Sequence, residues 1–251
     1  MRRLCALLFV GILVVSMMSF GLSAWAVDIK VLYFMDADPG GRMNPFRTVL
    51  NVTSAGGNTI VYTETDAIEN EKGKLGDFDV VWLGFNSISD NGNNHIAGVE
   101  QALLDFTKAG GIVFSESPDD DGFQDAWLPS PISTLENAEH RDVEPTDAAG
   151  DLFESPNDVD LAQIQWDDNF ANYDEAKYAV LAQKATQDRA EILMIENGKG
   201  LYIVSAIDTR VTSEDLEKLY ENVFVFVLSA VAVEPVDKLP NTWGEMKSDI
   251  Q

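Results

Sequence analysis

Cysteine is almost absent from this chain, and histidine is scarce. The single cysteine is Cys5, and the histidines are His95 and His140. Because Cys5 lies in an N-terminal apolar stretch, the rest of the chain has no thiol and can form no disulfide. This excludes thiolate catalysis, cysteine-based zinc sites and iron–sulfur clusters from everything that follows residue 26.

Basic residues are also few. The chain has 17 Lys and Arg against 42 Asp and Glu, which gives a formal net charge of -25. Such a surface repels phosphate backbones and anionic lipid headgroups, so we expect neither nucleic acid nor a membrane surface as a partner. The composition does not indicate disorder, because 45% of the residues are hydrophobic and 10% are aromatic.

Long apolar runs occur only at the N-terminus. Arg2 and Arg3 precede a mostly apolar stretch from Leu4 to Leu22, and Ala24-Trp25-Ala26 follows as a small-x-small cleavage pattern. This arrangement predicts a signal peptide over residues 1–26 and an extracytoplasmic protein, periplasmic or secreted. The apolar stretch is also close to the length of a membrane span, so an uncleaved anchor is the alternative.

The first half of the remaining sequence alternates between strand-like and helix-like apolar patterns. Strands are predicted at Asp28–Met35, Asn58–Thr63, Asp79–Gly84 and Ile112–Ser115, and helices at Phe46–Ala55 and His95–Ala109. The strands are short and nearly all apolar, which is typical of strands buried on both faces. The order β-α-β-β-α-β predicts an α/β fold with a doubly wound, mostly parallel sheet.

The second half is less regular. Residues 117–172 are acidic and contain isolated aromatics, and we interpret them as an irregular insertion. Three strands are predicted after it, at Tyr178–Gln183, Glu191–Ile195 and Gly200–Ala206. The first two are expected to be antiparallel additions, with a hairpin turn at Asn197-Gly198. Thr212 is expected to cap a last helix, with Asp215 in its capping box. The domain is thus expected to span residues 27–233, with a tail at 234–251.

Four segments resemble one known family. They are the opening strand Ile29–Met35, the Asp77-Phe-Asp-Val-Val-Trp-Leu-Gly84 strand, Leu104–Phe114, and Gly198–Ser205. Together they resemble the class I glutamine amidotransferase-like superfamily and, within it, the trehalose-utilisation (ThuA-like) branch. The resemblance implies a flavodoxin-like, three-layer αβα sandwich.

The chain departs from that family where its chemistry resides. The amidotransferases need a cysteine nucleophile with His and Glu partners, and no cysteine is available here. The ThuA-like branch usually has a histidine just after the strand that here ends at Ser115, where this chain has Glu116. The resemblance therefore implies the fold, and it implies the loss of glutamine hydrolysis.

Polar residues follow three of the predicted parallel strands. They are Asp36 and Asp38 after the first, Asn86, Ser87 and Asp90 after the third, and Ser115, Glu116 and Ser117 at the end of the fourth. Ligands of open α/β sheets bind beyond the carboxyl ends of the strands. Carboxylates, amides and hydroxyls that converge there suit a sugar, another polyol or a hard cation. The alternative is that the loops of so acidic a chain are simply polar.

The densest acidic run is Asp119-Asp120-Asp121, directly before Gly122. Calcium takes several oxygen ligands, and an Asp cluster before a glycine can supply some of them. The run lacks the alternating spacing and the closing Glu of an EF-hand loop. It is therefore interpreted either as a calcium site or as a solvated acidic turn, and no other cofactor is expected.

Three functions are compatible with these features. The leading one is an exported, non-catalytic amidotransferase-like domain that binds a carbohydrate or other polyol at the strand ends. An enzyme is the first alternative, a sugar hydrolase or isomerase that uses Asp36 and Glu116, with a raised pKa on one acid. The second is a protein-interaction domain, whose insertion would expose an aromatic patch around Trp127 and Trp166. The aromatics of this region, Trp127, Trp166, Phe170 and Tyr173, could stack on sugars, but anchoring of the loop to the sheet is the favoured interpretation.

Overall fold

The structure is a computed structural model. It describes residues 28–35, 47–85, 87–90, 93–118, 120, 122–135, 138–187 and 189–232. The strands are β1 (Asp28–Phe34), β2 (Ser54–Ala55), β3 (Asn58–Thr65), β4 (Val80–Leu83), β5 (Ser89–Asp90), β6 (Asn93–Asn94), β7 (Ile112–Ser115), β8 (Ser133–Leu135), β9 (Val143–Pro145), β10 (Asn169–Ala171), β11 (Ala179–Lys184), β12 (Ala190–Asn197) and β13 (Gly200–Ser205). The α-helices are α1 (Glu100–Ala109) and α2 (Glu214–Ala232), and short 3-10 helices cover Thr48–Asn51, Ile68–Asn70, Leu75–Asp77, Asp147–Ala149 and Leu161–Gln163.

Five parallel strands form the centre of one mixed sheet, in the order β3-β1-β4-β7-β13. Every residue of β4, β7 and β13 is buried. This agrees with their nearly continuous apolar sequences, because a strand covered on both faces has no polar side to present. The predicted mostly parallel α/β sheet is confirmed at this level.

An antiparallel extension continues the sheet beyond β13. β12 pairs antiparallel with β13, and β11 and β10 pair antiparallel with β12. The predicted hairpin is present, but its turn is Gly198-Lys199, one residue later than predicted, because Asn197 pairs with Gly200 as the last residue of β12; Gly198 has a φ of +68°. A Cβ at that position would lie 2.7 Å from the Lys108 carbonyl oxygen, so the turn needs a glycine for two reasons.

The predicted helix over Phe46–Ala55 is wrong. The described part of this segment is one 3-10 turn, Thr48–Asn51, followed by the short strand β2. The Tyr62 hydroxyl lies 2.7 Å from the Val49 carbonyl oxygen and 2.9 Å from that of Val52. Since β3 supplies a hydrogen-bond donor to this turn, the turn can end without continuing into a helix.

The helix after β13 packs an aromatic cluster onto the sheet. Trp82 of β4 stacks on Phe114 of β7 at 4.0 Å between ring centroids and on Phe224 of α2 at 5.4 Å. The cap of α2 is Ser213 rather than the predicted Thr212, because the Ser213 hydroxyl accepts from the Leu216 amide. Among the described residues the α-helices are α1 and α2. The structure therefore supports an α/β fold that is rich in β-sheet. The predicted three-layer αβα sandwich is not confirmed.

Residues 117–172 contain the short strands β8, β9 and β10, which join the sheet, and their aromatics are not exposed. Trp127 and Trp166 are fully buried, and Phe170 is 1% exposed. The Trp127 ring meets Tyr202 of β13 edge to face, with 5.7 Å between centroids. The exposed patch that the protein-interaction alternative requires at Trp127 and Trp166 is therefore wrong, and the burial of these side chains agrees with the favoured interpretation that they anchor the loop.

The predicted signal peptide (1–26) and tail (234–251) lie outside the described residues. Among the residues that the structure does describe, no helix is both long and apolar enough to cross a membrane.

Candidate functional site

Glu116 lies directly after β7, at the carboxyl edge of the sheet. Its carboxylate is 1% exposed and accepts four hydrogen bonds. The Trp82 indole donates to Oε1 at 3.0 Å and the Tyr220 hydroxyl at 2.9 Å. The Phe85 amide donates to Oε2 at 2.8 Å and the Thr209 hydroxyl at 3.3 Å. Glu116 thus joins the ends of β4 and β7, the loop after β13, and α2.

Burial sets the charge state of this carboxyl group. It raises the pKa of Glu116 to about 7, although each of the four donors acts in the opposite direction. The negative charge and the burial together raise the pKa of Tyr220 and of Tyr33. A group that keeps its proton near neutral pH is what the carboxylate-enzyme alternative requires of an acid. Here, however, the group is enclosed by side chains of the protein itself.

The serines predicted to join Glu116 are brought to the same edge, and all are buried. Ser117 donates through Oγ to the Asp167 carbonyl oxygen at 3.1 Å. The Ser115 carbonyl oxygen accepts from the Ser205 hydroxyl at 2.8 Å. The Ser87 amide donates to the Gly84 carbonyl oxygen at 2.9 Å. Asp90 lies in the β5–β6 hairpin. A direct contact of these residues with a ligand remains a prediction.

A charged cluster beyond β13 was not expected from the sequence. Arg210 forms two hydrogen bonds with the buried Asp208, at 2.9 Å each, and one with Asp167 at 2.8 Å. Its guanidinium carbon lies 5.0 Å from the Phe85 ring centroid. The hydrogen bonds to Asp208 raise the pKa of Arg210, and burial raises the pKa of Asp167 in spite of the arginine. The sequence signal that could have found this cluster is Asp208-Thr209-Arg210, which follows the apolar strand β13.

An open cleft of about 470 Å³ lies where the insertion leaves the sheet. Its lining combines five polar residues with Ala126, Ile132 and the half-buried ring of Phe123; the polar residues are Asp120, Gln124, Asp125, Ser133 and Thr134. Asn94 of β6 donates to Gln124 at 3.4 Å, so the cleft adjoins the hairpin that follows β4. The Asp125 carboxylate accepts from the Ile132 amide at 3.3 Å and holds the two sides of the cleft together.

Several predicted site residues lie outside the described residues: Asp36, Asp38, Asn86, Asp119 and Asp121. Of the proposed calcium ligands, only Asp120 is described, and it lines the cleft. Within the described ranges, no group of three or more His, Asp or Glu side chains is arranged to hold a metal ion. The calcium site therefore remains a prediction.

A second buried carboxyl group occurs in the antiparallel extension. Glu191 of β12 is fully buried, and its Oε1 lies 3.0 Å from Nε2 of His140 in the insertion. Burial raises the pKa of Glu191 to about 7, with His140 acting against that shift. The sequence signal was a lone carboxylate within the apolar run of β12, which has no polar face to put it on.

Comparison with known proteins shows that other structures share the fold of this chain. No protein-family model matches it, and no curated protein matches its sequence. The cytoplasmic protein STM3548 from Salmonella typhimurium is similar in structure, with a TM-score of 0.53 and 11% identity over 80% of this chain and 98% of that one. The cytoplasmic protein STM1381 from the same species has a TM-score of 0.52 and 13% identity, over 79% of this chain and 99% of that one.

An enzyme contains a similar fold as part of a longer chain. The cold-adapted β-galactosidase from Rahnella sp. R3 has a TM-score of 0.51 and 15% identity to this chain. The similarity covers 83% of this chain but 32% of the β-galactosidase. At these identities the likeness shows a shared α/β fold.

Proposed function

We propose that this protein is an exported, non-catalytic binding domain that holds a carbohydrate or other polyol in the cleft beside the carboxyl edge of its sheet. The observation that carries this proposal is the cleft itself, about 470 Å³ of open space lined by residues 120–134, between the segment that follows β7 and the edge strand β8. A volume in this range suits a small ligand.

The chemistry of the lining favours a sugar. Carboxylates of Asp120 and Asp125 accept hydrogen bonds from hydroxyl groups, while the Gln124 amide and the Thr134 hydroxyl can also donate to them. The Phe123 ring provides an apolar surface on which one face of a sugar ring can rest. A flat apolar contact surrounded by a few polar groups is the usual composition of a small-molecule site.

The non-catalytic part of the proposal rests on residues of the sequence. No cysteine follows Cys5, so the nucleophile of the amidotransferases is missing. Glu116, which follows the strand where related chains place a histidine, has its carboxylate hydrogen-bonded by Trp82, Phe85, Thr209 and Tyr220. We therefore assign Glu116 a structural role, which also argues against a hydrolase built on Asp36 and Glu116. Export rests on the predicted signal peptide.

The fold supports a finer assignment within the same proposal. Numbered along the chain, the five parallel strands follow the order 2-1-3-4-5, which is that of flavodoxin-like sheets. We propose on this basis, and on the sequence resemblance, that the chain is an amidotransferase-like domain close to the ThuA-like branch. The β-galactosidase from Rahnella shows that a domain of similar fold can form part of a carbohydrate-active protein.

The test is a thermal-shift titration of the purified protein with mono- and disaccharides, each with and without Ca²⁺. A ligand that binds only the native state at a hundredfold excess over its Kd stabilises it by about 2.7 kcal/mol, which is roughly 5–10 °C here. Phe123→Ala is expected to abolish the shift. Phe78→Ala is the matched control, because Phe78 is also partly buried but lies outside the cleft.

Two results would contradict the proposal. One is the absence of a shift with every saccharide tested. The other is an equal loss of the shift in Phe123→Ala and Phe78→Ala, which would place the binding site elsewhere. A shift with Ca²⁺ alone, lost in Asp120→Asn, would replace the sugar with a cation as the ligand of the cleft.

A further inference from the structure

The His140–Glu191 pair is buried at a junction between the insertion and the sheet. The side chain of His140 is 9% exposed and that of Glu191 is fully buried. His140 and Trp166 exchange backbone hydrogen bonds of 3.0 and 3.1 Å, and Trp166 in turn bridges to Ile207. Glu191 is therefore the side-chain contact by which β12 reaches across to the segment that carries His140.

Both ring nitrogens of His140 face oxygen acceptors. Nε2 lies 3.0 Å from Glu191 Oε1, and Nδ1 lies 3.3 Å from the Ala138 carbonyl oxygen. A neutral imidazole has one N–H, so it can donate to only one of these two acceptors. Satisfying both contacts requires an additional proton, either on the imidazole or on the carboxyl group.

We infer that His140 and Glu191 share one buried proton and form a pH-sensitive latch, which holds residues 138–142 of the insertion against the sheet while the proton is present and loosens them when it leaves. This inference does not depend on the cleft or its ligand. It rests on the two acceptors facing one ring and on the burial of both partners.

The charged groups around the His140–Glu191 pair shift the pKa of Glu191 in opposite directions. Lys184 of β11 favours the ionised form of Glu191, whereas Asp142 favours the protonated form. The charged neighbours of His140 in sequence point elsewhere: Glu139 pairs with Arg210, and Arg141 donates to the Gln163 carbonyl oxygen. Burial is the largest influence on the pKa of Glu191, which it raises to about 7.

The direction of the pH effect follows from this. The folded state holds the proton more tightly than the unfolded chain, in which a glutamate has an ordinary pKa. The latch therefore contributes its full stabilisation at low pH and loses it as the pH rises toward and past about 7.

Glu191→Gln tests the latch directly. The amide of a glutamine can donate to Nε2 of neutral His140 while Nδ1–H donates to Ala138, so both contacts persist without an ionisable proton. We expect the decrease in melting temperature from pH 6 to pH 8.5 to be about 3–5 °C smaller in Glu191→Gln than in the parent protein. Glu196→Gln, an exposed position on the same strand, should behave like the parent. Parallel pH profiles for the parent and Glu191→Gln would overturn the inference.

Hydrogen exchange of the parent protein gives a second measurement that needs no variant. After correction for the intrinsic pH dependence of exchange, protection of the His140 and Trp166 amides should fall about tenfold more between pH 6 and pH 8.5 than that of Tyr202 in β13. Equal changes at all three amides would also overturn the latch, because its opening is local to the insertion.

Discussion

The two buried glutamates show how differently two regions of one sheet accommodate a carboxyl group. Glu116, at the parallel centre, accepts four hydrogen bonds from four separate parts of the chain. Glu191, in the antiparallel extension, has His140 as a partner for Oε1, and its Oε2 has no hydrogen-bond partner among the described residues. Burial nevertheless raises the pKa of each to about 7.

The difference lies in what each carboxyl group is needed for. At Glu116 the donors include the Trp82 indole and the Phe85 amide, which can donate but cannot accept. The protein therefore provides an acceptor there, at the cost of burying a carboxylate. At Glu191 the partner is an imidazole that can exchange roles with the carboxyl group. The first arrangement joins four parts of the chain, and the second joins β12 to the insertion alone.

The largest expected effect comes from removing each carboxyl group. Glu116→Ala leaves four donors without their acceptor and creates a cavity, and we expect it to lower the free energy of unfolding by about 4 kcal/mol. Glu191→Ala removes a single hydrogen bond and should cost about 1–2 kcal/mol. Chemical denaturation at pH 7 measures both, with the exposed Glu196→Ala as the control.

Because Glu116→Ala could prevent folding, a milder substitution at Glu116 provides a second test. Glu116→Gln directs its amide NH₂ toward either the Trp82 indole or the Phe85 amide, each of which is only a donor. We expect a loss of about 2 kcal/mol, the reverse in sign of the effect of Glu191→Gln at pH 8.5. Equal effects of the two glutamine substitutions would break the comparison.

The next effect is the dependence of stability on pH. Each group has a folded pKa of about 7 against an ordinary value of 4.5. The stabilisation from proton binding is therefore complete below pH 4.5 and is lost as the pH rises through about 7, by up to about 3 kcal/mol per group. Denaturation midpoints at pH 5 and pH 8 measure this loss.

General charge repulsion in a chain of net charge -25 acts in the same direction, so a matched variant is needed. The Glu116→Gln, Glu191→Gln double variant keeps the surface charge pattern and lacks both buried protons. If it loses as much stability between pH 5 and pH 8 as the parent protein does, the two carboxyl groups do not titrate in this range.

The smallest expected effect comes from removing one of the four hydrogen-bond donors to Glu116. Tyr220→Phe removes the 2.9 Å hydrogen bond to Glu116 and should cost about 1–2 kcal/mol. Because that bond favours the ionised carboxylate, its loss should raise the pKa of Glu116 further. Carboxyl carbon NMR follows this titration. Tyr178→Phe, which removes a bond to the Ser130 carbonyl oxygen, should leave the titration of Glu116 unchanged.

Local sequence was enough to predict most of the sheet. The apolar runs that became β1, β4, β7 and β13 are nearly continuous, which is typical of strands covered on both faces. The β12–β13 hairpin was likewise predictable from Asn197-Gly198, because Gly198 has a positive φ that few other residues tolerate, although the turn falls one residue later than predicted. The segment at 46–55 was not, since its turn depends on the hydroxyl of Tyr62, a residue on another strand.

The location of the strand-end residues was predictable from the sequence, but their hydrogen-bond partners were not. Ser115, Glu116 and Ser117 do lie at the carboxyl edge, as expected for residues that end a parallel strand. That Glu116 would be enclosed depended on Tyr220, which is 104 positions away. The sequence left open whether the aromatic residues of the insertion are exposed or anchor the loop, and the structure buries Trp127, Trp166 and Phe170.

The sequence by itself therefore determined the chemistry that this chain excludes, the strands of its central sheet and the edge at which polar residues collect, because these follow from composition and local periodicity. The tertiary structure decided which of those polar residues are enclosed and which line open space. It also decided that Glu116 and Glu191 have different partners. Such outcomes depend on donors and acceptors brought together from distant parts of the chain, and no local pattern records them.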